Sequence, residues 1–360
     1  MNILQLSRTM GQGGAEKVVF QLCSTLNIPQ NHIYVASTGG YYVSKLSEIN
    51  VKHFTIPDLE GKNIRTIVDT FNILSNIIAT NNIDVIHTHH RMAAFYARLL
   101  QFKFRNLKHI YTAHNVFFDH KSLLKFALKK ATIVACGDTV KKNLVDVYGI
   151  SSNIINVIYN SVEKKENPTF AIESRSLEKG FYYIGYIGRL SKQKGVDVFI
   201  KAINKVVKSN PKIKGLIIGD GEERKKLEKL TNELNAKKNI CFLGYQNNID
   251  YWLNQIEFVI LPSRWEGLPL IPIETFANGK TIIVSNIPSN CEIVNDKYNG
   301  LIFKKDNVDD LVNKIKSMIA QKDALEKHAY DTYINNFSYS IFKKKYESLY
   351  SKIFDEIGTE

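Results

Sequence analysis

Arg189 and Lys194 stand close together in the stretch GRLSKQKG, residues 188–195. A guanidinium and an ammonium at a strand end suit a diphosphate, the guanidinium binding it bidentately and the ammonium acting as a point charge. Glu266 and Glu274, with seven residues between them, stand in LPSRWEGLPLIPIETFANGK. Carboxylates do not bind phosphate, but they accept hydrogen bonds from sugar hydroxyls. Each pair alone is also what a solvated surface produces. What weighs for a site is the order of elements around them.

Residues 258–261 form a short apolar run, expected to be a buried strand that ends at Pro262 and Ser263. A helix follows to about Ala277, Asn278-Gly279 stops it, and a second strand covers 281–285. The same alternation runs through the second half. An aromatic-rich strand over 181–188 leads through the Arg189 loop to a helix ending at Val207. Residues 216–218 form a strand closing on Gly219-Asp220-Gly221, and 240–243 one closing on Gly244-Tyr245. A helix is expected over 308–318 and a helix pair over the aromatic tail, 337–354.

The first half opens with a strand over 2–7, the glycine-rich MGQGGAE of 10–16, and an apolar helix over 17–26. Backbone N–H groups of Gly13 and Gly14 could approach a phosphate there, or the glycines could simply make a tight turn. Glu16 occupies the third glycine position of the dinucleotide fingerprint, and no Gly-Lys-Ser/Thr follows, so neither that fingerprint nor a P-loop is present. Strands over 32–37, 83–87, 109–112, 132–135 and 155–158 alternate with helices over 64–80 and 92–100. Repeated βα units predict doubly wound parallel sheets, with ligands beyond the carboxyl ends of the strands. His87, His89, His90 and His114 fall at such ends; imidazoles there are either metal ligands or hydrogen-bonded structural groups.

At 360 residues the chain is long enough for two cores. Its formal charge is +13, with +8 in residues 1–161. The denser excess in the first half favours an anionic partner, or it reflects a generally basic composition that aids solubility. Residues 121–130, KSLLKFALKK, form a basic amphipathic segment that either lies on an anionic bilayer or packs as an ordinary surface helix. The scattered Cys23, Cys136, Cys241 and Cys291 read as reduced core residues. The first residues do not have the pattern of a signal peptide, and no run is long enough to span a bilayer. Charge-rich residues 163–179, with Pro168, read as an interdomain linker.

The glutamate pair in its strand, EGLP, helix, Asn-Gly and strand context resembles the paired-glutamate motif of retaining glycosyltransferases of family 4. So do the Gly188-Arg189…Lys194-Gly195 loop, Gly13-Gly14-Ala15-Glu16, Thr112-Ala113-His114 and Asp84-Val85-Ile86-His87-Thr88-His89. The resemblance covers essentially the whole chain. It implies an α/β chain of the GT-B fold, two Rossmann-like doubly wound parallel-sheet domains facing across a cleft. The expected domains are an acceptor-side domain, 1–162, and a nucleotide-sugar-binding domain, 163–337, with a C-terminal helix over 338–360 returning to the first.

Carried onto this sequence, the resemblance puts Arg189 and Lys194 on the donor diphosphate. Glu266 falls at the donor sugar's hydroxyls, Glu274 on the nucleotide ribose, and His114 near the donor sugar. Gly13, Gly14, Gly188, Gly267 and Leu268 line the phosphates, while Gly244 and Tyr245 meet the nucleobase. Departures occur at Ser161, Pro272, Thr281, Ser289 and Asn290, where other residues are usual; they touch the details of sugar selection.

The implied activity is transfer of a hexosyl or N-acetylhexosaminyl group, with retention, from a nucleotide-diphosphate sugar, a UDP-sugar being favoured over a GDP-sugar. The acceptor would be a saccharide or polyprenyl-linked saccharide in bacterial surface polysaccharide or O-antigen assembly. The expected location is the cytoplasm, peripherally on the inner face of the membrane. No cofactor and no nucleic acid are expected; Asp-x-Asp is absent from the sequence, so a catalytic divalent metal is not implied. Two further readings stand beside this one. A non-catalytic member of a glycosylation complex would keep the fold, and a sugar-nucleotide 2-epimerase would release its product without an acceptor.

Overall fold

The computed structural model describes residues 1–61, 63–164 and 177–358. Most of the expected linker, residues 165–176 with Pro168, lies outside the described residues. The chain divides into two compact units, Met1–Asn160 with Ser340–Glu360, and Ser161–Tyr339.

In the first unit, seven strands form one parallel sheet. They are β1 (Asn2–Leu6), β2 (His32–Ser37), β3 (Lys52–Thr55), β4 (Val85–Thr88), β5 (Lys108–Ala113), β6 (Ala131–Ala135) and β7 (Ile155–Val157), in the order β3-β2-β1-β4-β5-β6-β7. Helices α1 (Gly14–Leu26), α2 (Tyr42–Glu48), α3 (Ile64–Thr80), α4 (Arg91–Lys103), α5 (Lys121–Ala127) and α6 (Asp138–Asp146) connect them. Central strands of a parallel sheet are covered on both faces and read as continuous apolar runs. Accordingly β4 is buried throughout, whereas edge strand β3, KHFT, is not. That polar edge gave no strand signal in the sequence. Leu4, Leu6, Leu74, Ile78, Ile86, Tyr96 and Leu100 share one core.

The second unit repeats the scheme with six strands: β8 (Tyr182–Ile187), β9 (Ile213–Ile218), β10 (Ile240–Gly244), β11 (Phe258–Leu261), β12 (Ile282–Ser285) and β13 (Gly300–Phe303). Their order is β10-β9-β8-β11-β12-β13, all parallel. The helices are α7 (Val196–Val207), α8 (Arg224–Glu233), α9 (Ile249–Gln255), α10 (Leu270–Ala277), α11 (Pro288–Cys291) and α12 (Val308–Thr332), followed by α13 (Tyr339–Gly358), most of which belongs to the first unit. Helix α7 turns Val196, Phe199, Ile200, Ile203, Val206 and Val207 inward, a stripe at helical spacing. Phe199 and Ile203 join Ile217, Phe258, Ile260 and Met318 in the core. Removing a side chain the size of Phe199 from water stabilises by about 2 to 3 kcal/mol.

Both sheets reverse their winding beside the first strand of the unit, between β1 and β4 and between β8 and β11. In open α/β sheets this switch point is where strand-end loops part to leave a binding crevice. In the second unit those loops are drawn tightly together. Gly219 has φ +135°, and a Cβ there would lie 1.9 Å from the Gly188 carbonyl oxygen. Gly195 has φ +63°, and its Cβ would lie 2.2 Å from the Pro262 carbonyl oxygen. Backbone bonds from Gly188 to Ile218 (2.9 Å), Leu190 to Asp220 (2.9 Å) and Gly219 to Gly244 (2.7 Å) lace the ends of β8, β9 and β10.

Several expectations are corrected. The tail is a single helix, α13, because Ser338 is extended and no breaker interrupts the residues after it. Helix α12 runs on to Thr332, well past Met318. Helix α1 starts at Gly14, so Gly13 is its N-cap. Cys23 and Cys136 are buried, but Cys241 on edge strand β10 and Cys291 at the end of α11 are exposed.

Gly219→Ala meets both the positive φ and the Gly188 carbonyl, so the unfolding free energy should fall by about 2 to 3 kcal/mol. Urea titration of the variant checks this; an unchanged midpoint and slope would contradict the close approach.

Candidate functional site

Three loops beyond the strand ends of the second unit carry most of the candidate residues. Gly188 and Arg189 follow β8. Tyr186, buried in that strand, donates its hydroxyl hydrogen to the Arg189 carbonyl at 2.7 Å, which fixes the backbone at this point. Burial first, and then the Glu266 carboxylate, hold the Tyr186 phenol well above its ordinary value, so it remains a donor. The Arg189 side chain is exposed and makes no ion pair or hydrogen bond among the described residues.

Lys194 ends a one-turn 3-10 helix, and Gly195, in the left-handed conformation, then starts α7. Its ammonium meets Glu266 at 2.5 Å. Glu266 is only 8 % exposed and sits in the loop after β11. An ionised carboxylate so buried needs partners, since its desolvation costs several kcal/mol. It has three: Lys194 Nζ and Ser263 Oγ (2.7 Å) both donate to Oε1, and Gln193 Nε2 donates to Oε2 at 3.3 Å. Oε2 thus keeps acceptor capacity, and Lys194 keeps two N–H donors.

The loop itself is braced from three sides. Arg264 spans Asp197 at the start of α7 (3.0 Å to both oxygens), Asp306 (2.8 Å) and the Lys192 carbonyl (2.8 Å). Gln193 Nε2 also donates to the Trp265 carbonyl (2.8 Å). Ser285 Oγ donates to the Ser263 carbonyl, and Asn290 Nδ2 in turn donates to Ser285 Oγ at 3.0 Å. Asn290, at a position where glycine is usual in the resemblance, therefore anchors the strand end.

Gly267 and Leu268 are buried in the same loop, and Glu274 is buried one turn into α10. Gly244, with φ +72°, ends β10, and Tyr245 beside it is about half exposed. The structure thus brings Lys194 and Glu266 into contact and gathers the other seven candidates of this unit at strand ends or at the helix that follows one. Ser263, Gln193 and Arg264 were missed. Ser263 lies inside the glutamate stretch and was legible as a polar residue closing a buried strand. Gln193 and Arg264 carried no signal.

Gly13, Gly14 and His114 belong to the first unit. Gly13 caps α1, and Glu16 turns its carboxylate back over it, where a Cβ on Gly13 would lie 2.3 Å from Oε2. Thr9 Oγ1 donates to Glu16 at 2.5 Å. His114, just beyond β5, meets His89 Nδ1 through Nε2 at 3.0 Å. The strand-end histidines use their ring nitrogens in hydrogen bonds: His87 to Tyr350 of α13 (2.8 Å) and Thr112 (2.7 Å), His89 to Gln5 (2.7 Å). Among the described residues no three His, Cys, Asp or Glu side chains are grouped so as to hold a metal ion. His90 instead caps α4, its Nδ1 accepting from the Met92 amide at 3.3 Å.

A family profile described as "Glycosyl transferases group 1" matches residues 169–334, and one described as "Glycosyltransferase Family 4" matches residues 12–166. The chain belongs to glycosyltransferase family 4. The transferase is 26 % identical over 326 residues to the UDP-Gal:alpha-D-GlcNAc-diphosphoundecaprenol alpha-1,3-galactosyltransferase of Escherichia coli, covering 84 % of each chain. It is 25 % identical over 337 residues to the N-acetylgalactosamine-N,N'-diacetylbacillosaminyl-diphospho-undecaprenol 4-alpha-N-acetylgalactosaminyltransferase of Campylobacter jejuni, covering 89 % of this chain and 90 % of that one. Among solved structures, Anabaena Alr3699/HepE in complex with UDP-glucose superposes with a TM-score of 0.84 at 18 % identity, over 98 % of this chain and 100 % of that one. The two parallel-sheet domains are those of the GT-B fold.

The histidines of the first unit make a pH prediction. Burial pushes His109 down to about 3 and His114 to about 4, and holds His87 and His89 well below their ordinary value. The unfolded chain takes up protons below about pH 6.5 that these folded rings refuse, so their contribution is complete above that pH and is lost as the pH falls toward the folded values. At pH 5 the loss from His109 alone should be about 2 kcal/mol. Urea unfolding at pH 7.5 and 5.0 tests this, with His109→Gln expected to shrink the difference; equal stabilities at the two pH values would contradict it.

Proposed function

We propose that the transferase moves a hexosyl or N-acetylhexosaminyl group from a UDP-sugar, with retention, to a saccharide on a polyprenyl diphosphate, in surface polysaccharide assembly. The observation that carries this reading is the Lys194–Glu266 pair at the β8/β11 switch point, with an exposed Arg189 guanidinium in the same loop that has no partner among the described residues. The pair sums to zero charge, so the net positive charge for a diphosphate comes from Arg189. Lys194, held in place by Glu266, supplies two directed donors. Glu266 Oε2 accepts from a sugar hydroxyl, and Glu274 accepts from the ribose. His114 takes a hydroxyl of the sugar, and the Gly13 and Gly14 amides supply further donors.

Donors preorganised toward charge that develops as the bond breaks stabilise the transition state more than the ground state. In the proposed step the C1–O bond to the diphosphate breaks while the acceptor oxygen bonds C1 on the same face. The acceptor's proton passes to the departing phosphate oxygen. UDP-glucose in the Anabaena complex supports the UDP choice, and the diphosphoundecaprenol in both relatives' names supports the acceptor class.

A lipid-linked acceptor requires work at a membrane surface. Among the described residues no helix is long and apolar enough to cross one. Leu123 and Phe126 of α5, with Phe102 at the end of α4 and Phe118, are exposed, Phe118 by 73 %. Lys121, Lys125, Lys129 and Lys130 surround the α5 pair, while Leu124, Ala127 and Leu128 hold the segment to the unit. Exposed aromatics ringed by lysines suit an anionic leaflet, on the cytoplasmic side, each cation contributing about 1 kcal/mol near the surface.

UDP should raise the unfolding temperature and GDP should not, and Arg189→Ala should remove the shift and lower kcat by about 10²- to 10³-fold. A shift with GDP alone would overturn the donor assignment. Separately, the protein should co-sediment with phosphatidylglycerol vesicles and not with phosphatidylcholine vesicles. The double variant Phe118→Ser, Lys125→Glu should bind the anionic vesicles markedly less; undiminished binding would remove this face from the account.

A further inference from the structure

A chain of buried polar side chains crosses the first sheet at its switch point. It runs from His114 through His89, Gln5 of β1, Tyr350 of α13 and His87 of β4 to Thr112 of β5. The successive distances are 3.0, 2.7, 3.2, 2.8 and 2.7 Å. Gln5 is fully buried between Leu4 and Leu6 of β1, where an unpaired amide would cost several kcal/mol. Its position is therefore set by what it bonds.

Five of the six members can reverse. A neutral imidazole exchanges its tautomer and a hydroxyl rotates without moving a heavy atom, whereas an amide, whose nitrogen only donates and whose oxygen only accepts, reverses only by turning its whole end group over, here inside the packed core. Gln5 turns Oε1 to His89 and Nε2 to Tyr350. His89 must then carry its hydrogen on Nε2 and accept at Nδ1 from His114 Nε2. On the other side, the Tyr350 hydroxyl accepts from Gln5 and donates to His87 Nδ1, and His87 Nε2 donates to Thr112. Every hydrogen points the same way along the chain. What is left at its head is a bare lone pair on His114 Nδ1, an atom that is buried and has no partner among the described residues.

We propose that Gln5 fixes the polarity of this chain and so makes His114 present Nδ1 as a hydrogen-bond acceptor, for a hydroxyl of the sugar substrate. Gln5 is a positioning residue, acting through His89. The identity of the hydroxyl's owner rests on the transferase reading above; the tautomer does not, and it is measured without ligand.

The full chain labelled with ¹⁵N-histidine is examined by long-range ¹H–¹⁵N correlation at pH 7.5, with His114 assigned from the signals lost in His114→Gln. The expected result is a protonated, pyrrole-type Nε2 and an unprotonated, pyridine-type Nδ1; the opposite tautomer overturns the proposal. Gln5→Leu should leave both polarities populated and draw the two His114 nitrogen shifts toward each other. A folded Gln5→Leu with the wild-type shifts would overturn the role of Gln5. Tyr350→Phe, which leaves Oε1 on His89, should keep the wild-type tautomer, and decides the matter if Gln5→Leu does not fold. A reversed tautomer in that variant would place the control at Tyr350 instead.

Discussion

A carboxylate buried at the end of β11 has to be balanced, and the loops of the second unit are arranged around that need. Glu266 would be costly without Lys194, Ser263 and Gln193. Lys194 reaches it because Gly195 adopts a positive φ against the Pro262 carbonyl, a contact that no side chain would allow. Ser263 is in turn fixed by Ser285 and Asn290. Breaking the pair from either side strands a charge, so Lys194 and Glu266 behave as one unit. The consequence for chemistry is direction. A lysine on a flexible stem becomes a donor aimed at one place, and the carboxylate keeps acceptor capacity on Oε2.

The two units solve the same problem with different groups. Both place polar side chains where the sheet winding reverses. The second uses an ion pair and a guanidinium with no partner among the described residues, a charge pattern that suits a diphosphate. The first uses neutral groups, histidines that burial keeps uncharged, a glutamine and tyrosines. Neutral groups held by hydrogen bonds suit orienting hydroxyls, where a fixed charge would bind too indiscriminately. Helix α13 belongs to the first unit's solution, because its Tyr350 is bonded both to Gln5 and to His87.

How much of this was legible follows from distance along the chain. The glutamate pair and the Arg189–Lys194 loop each occupy a short stretch framed by strand and helix signals, so their class and surroundings could be read directly. Buried strands such as β11 and β12 announced themselves as apolar runs. Edge strand β3 and strand β13 did not, the first because half its residues face outward and the second because its run, GLIF, opens on a glycine and holds only three apolar residues. Contacts between distant stretches were invisible. Glu266 meets Gln193 across 73 residues and His87 meets Tyr350 across 263, and nothing in either stretch names its partner. The tail was expected as two helices for a related reason: its aromatics suggested burial, but burial alone does not say where a helix stops.

The central claim is that the strand-end loops of the second unit hold a nucleoside diphosphate through Arg189 and the Lys194–Glu266 pair. A crystal structure of the full chain with UDP tests it most directly. The account predicts diphosphate oxygens within hydrogen-bonding distance of the Arg189 guanidinium and Lys194 Nζ, and ribose hydroxyls on the Glu274 carboxylate. A diphosphate bound away from the β8 loop, or a ribose that leaves Glu274 untouched, would contradict it.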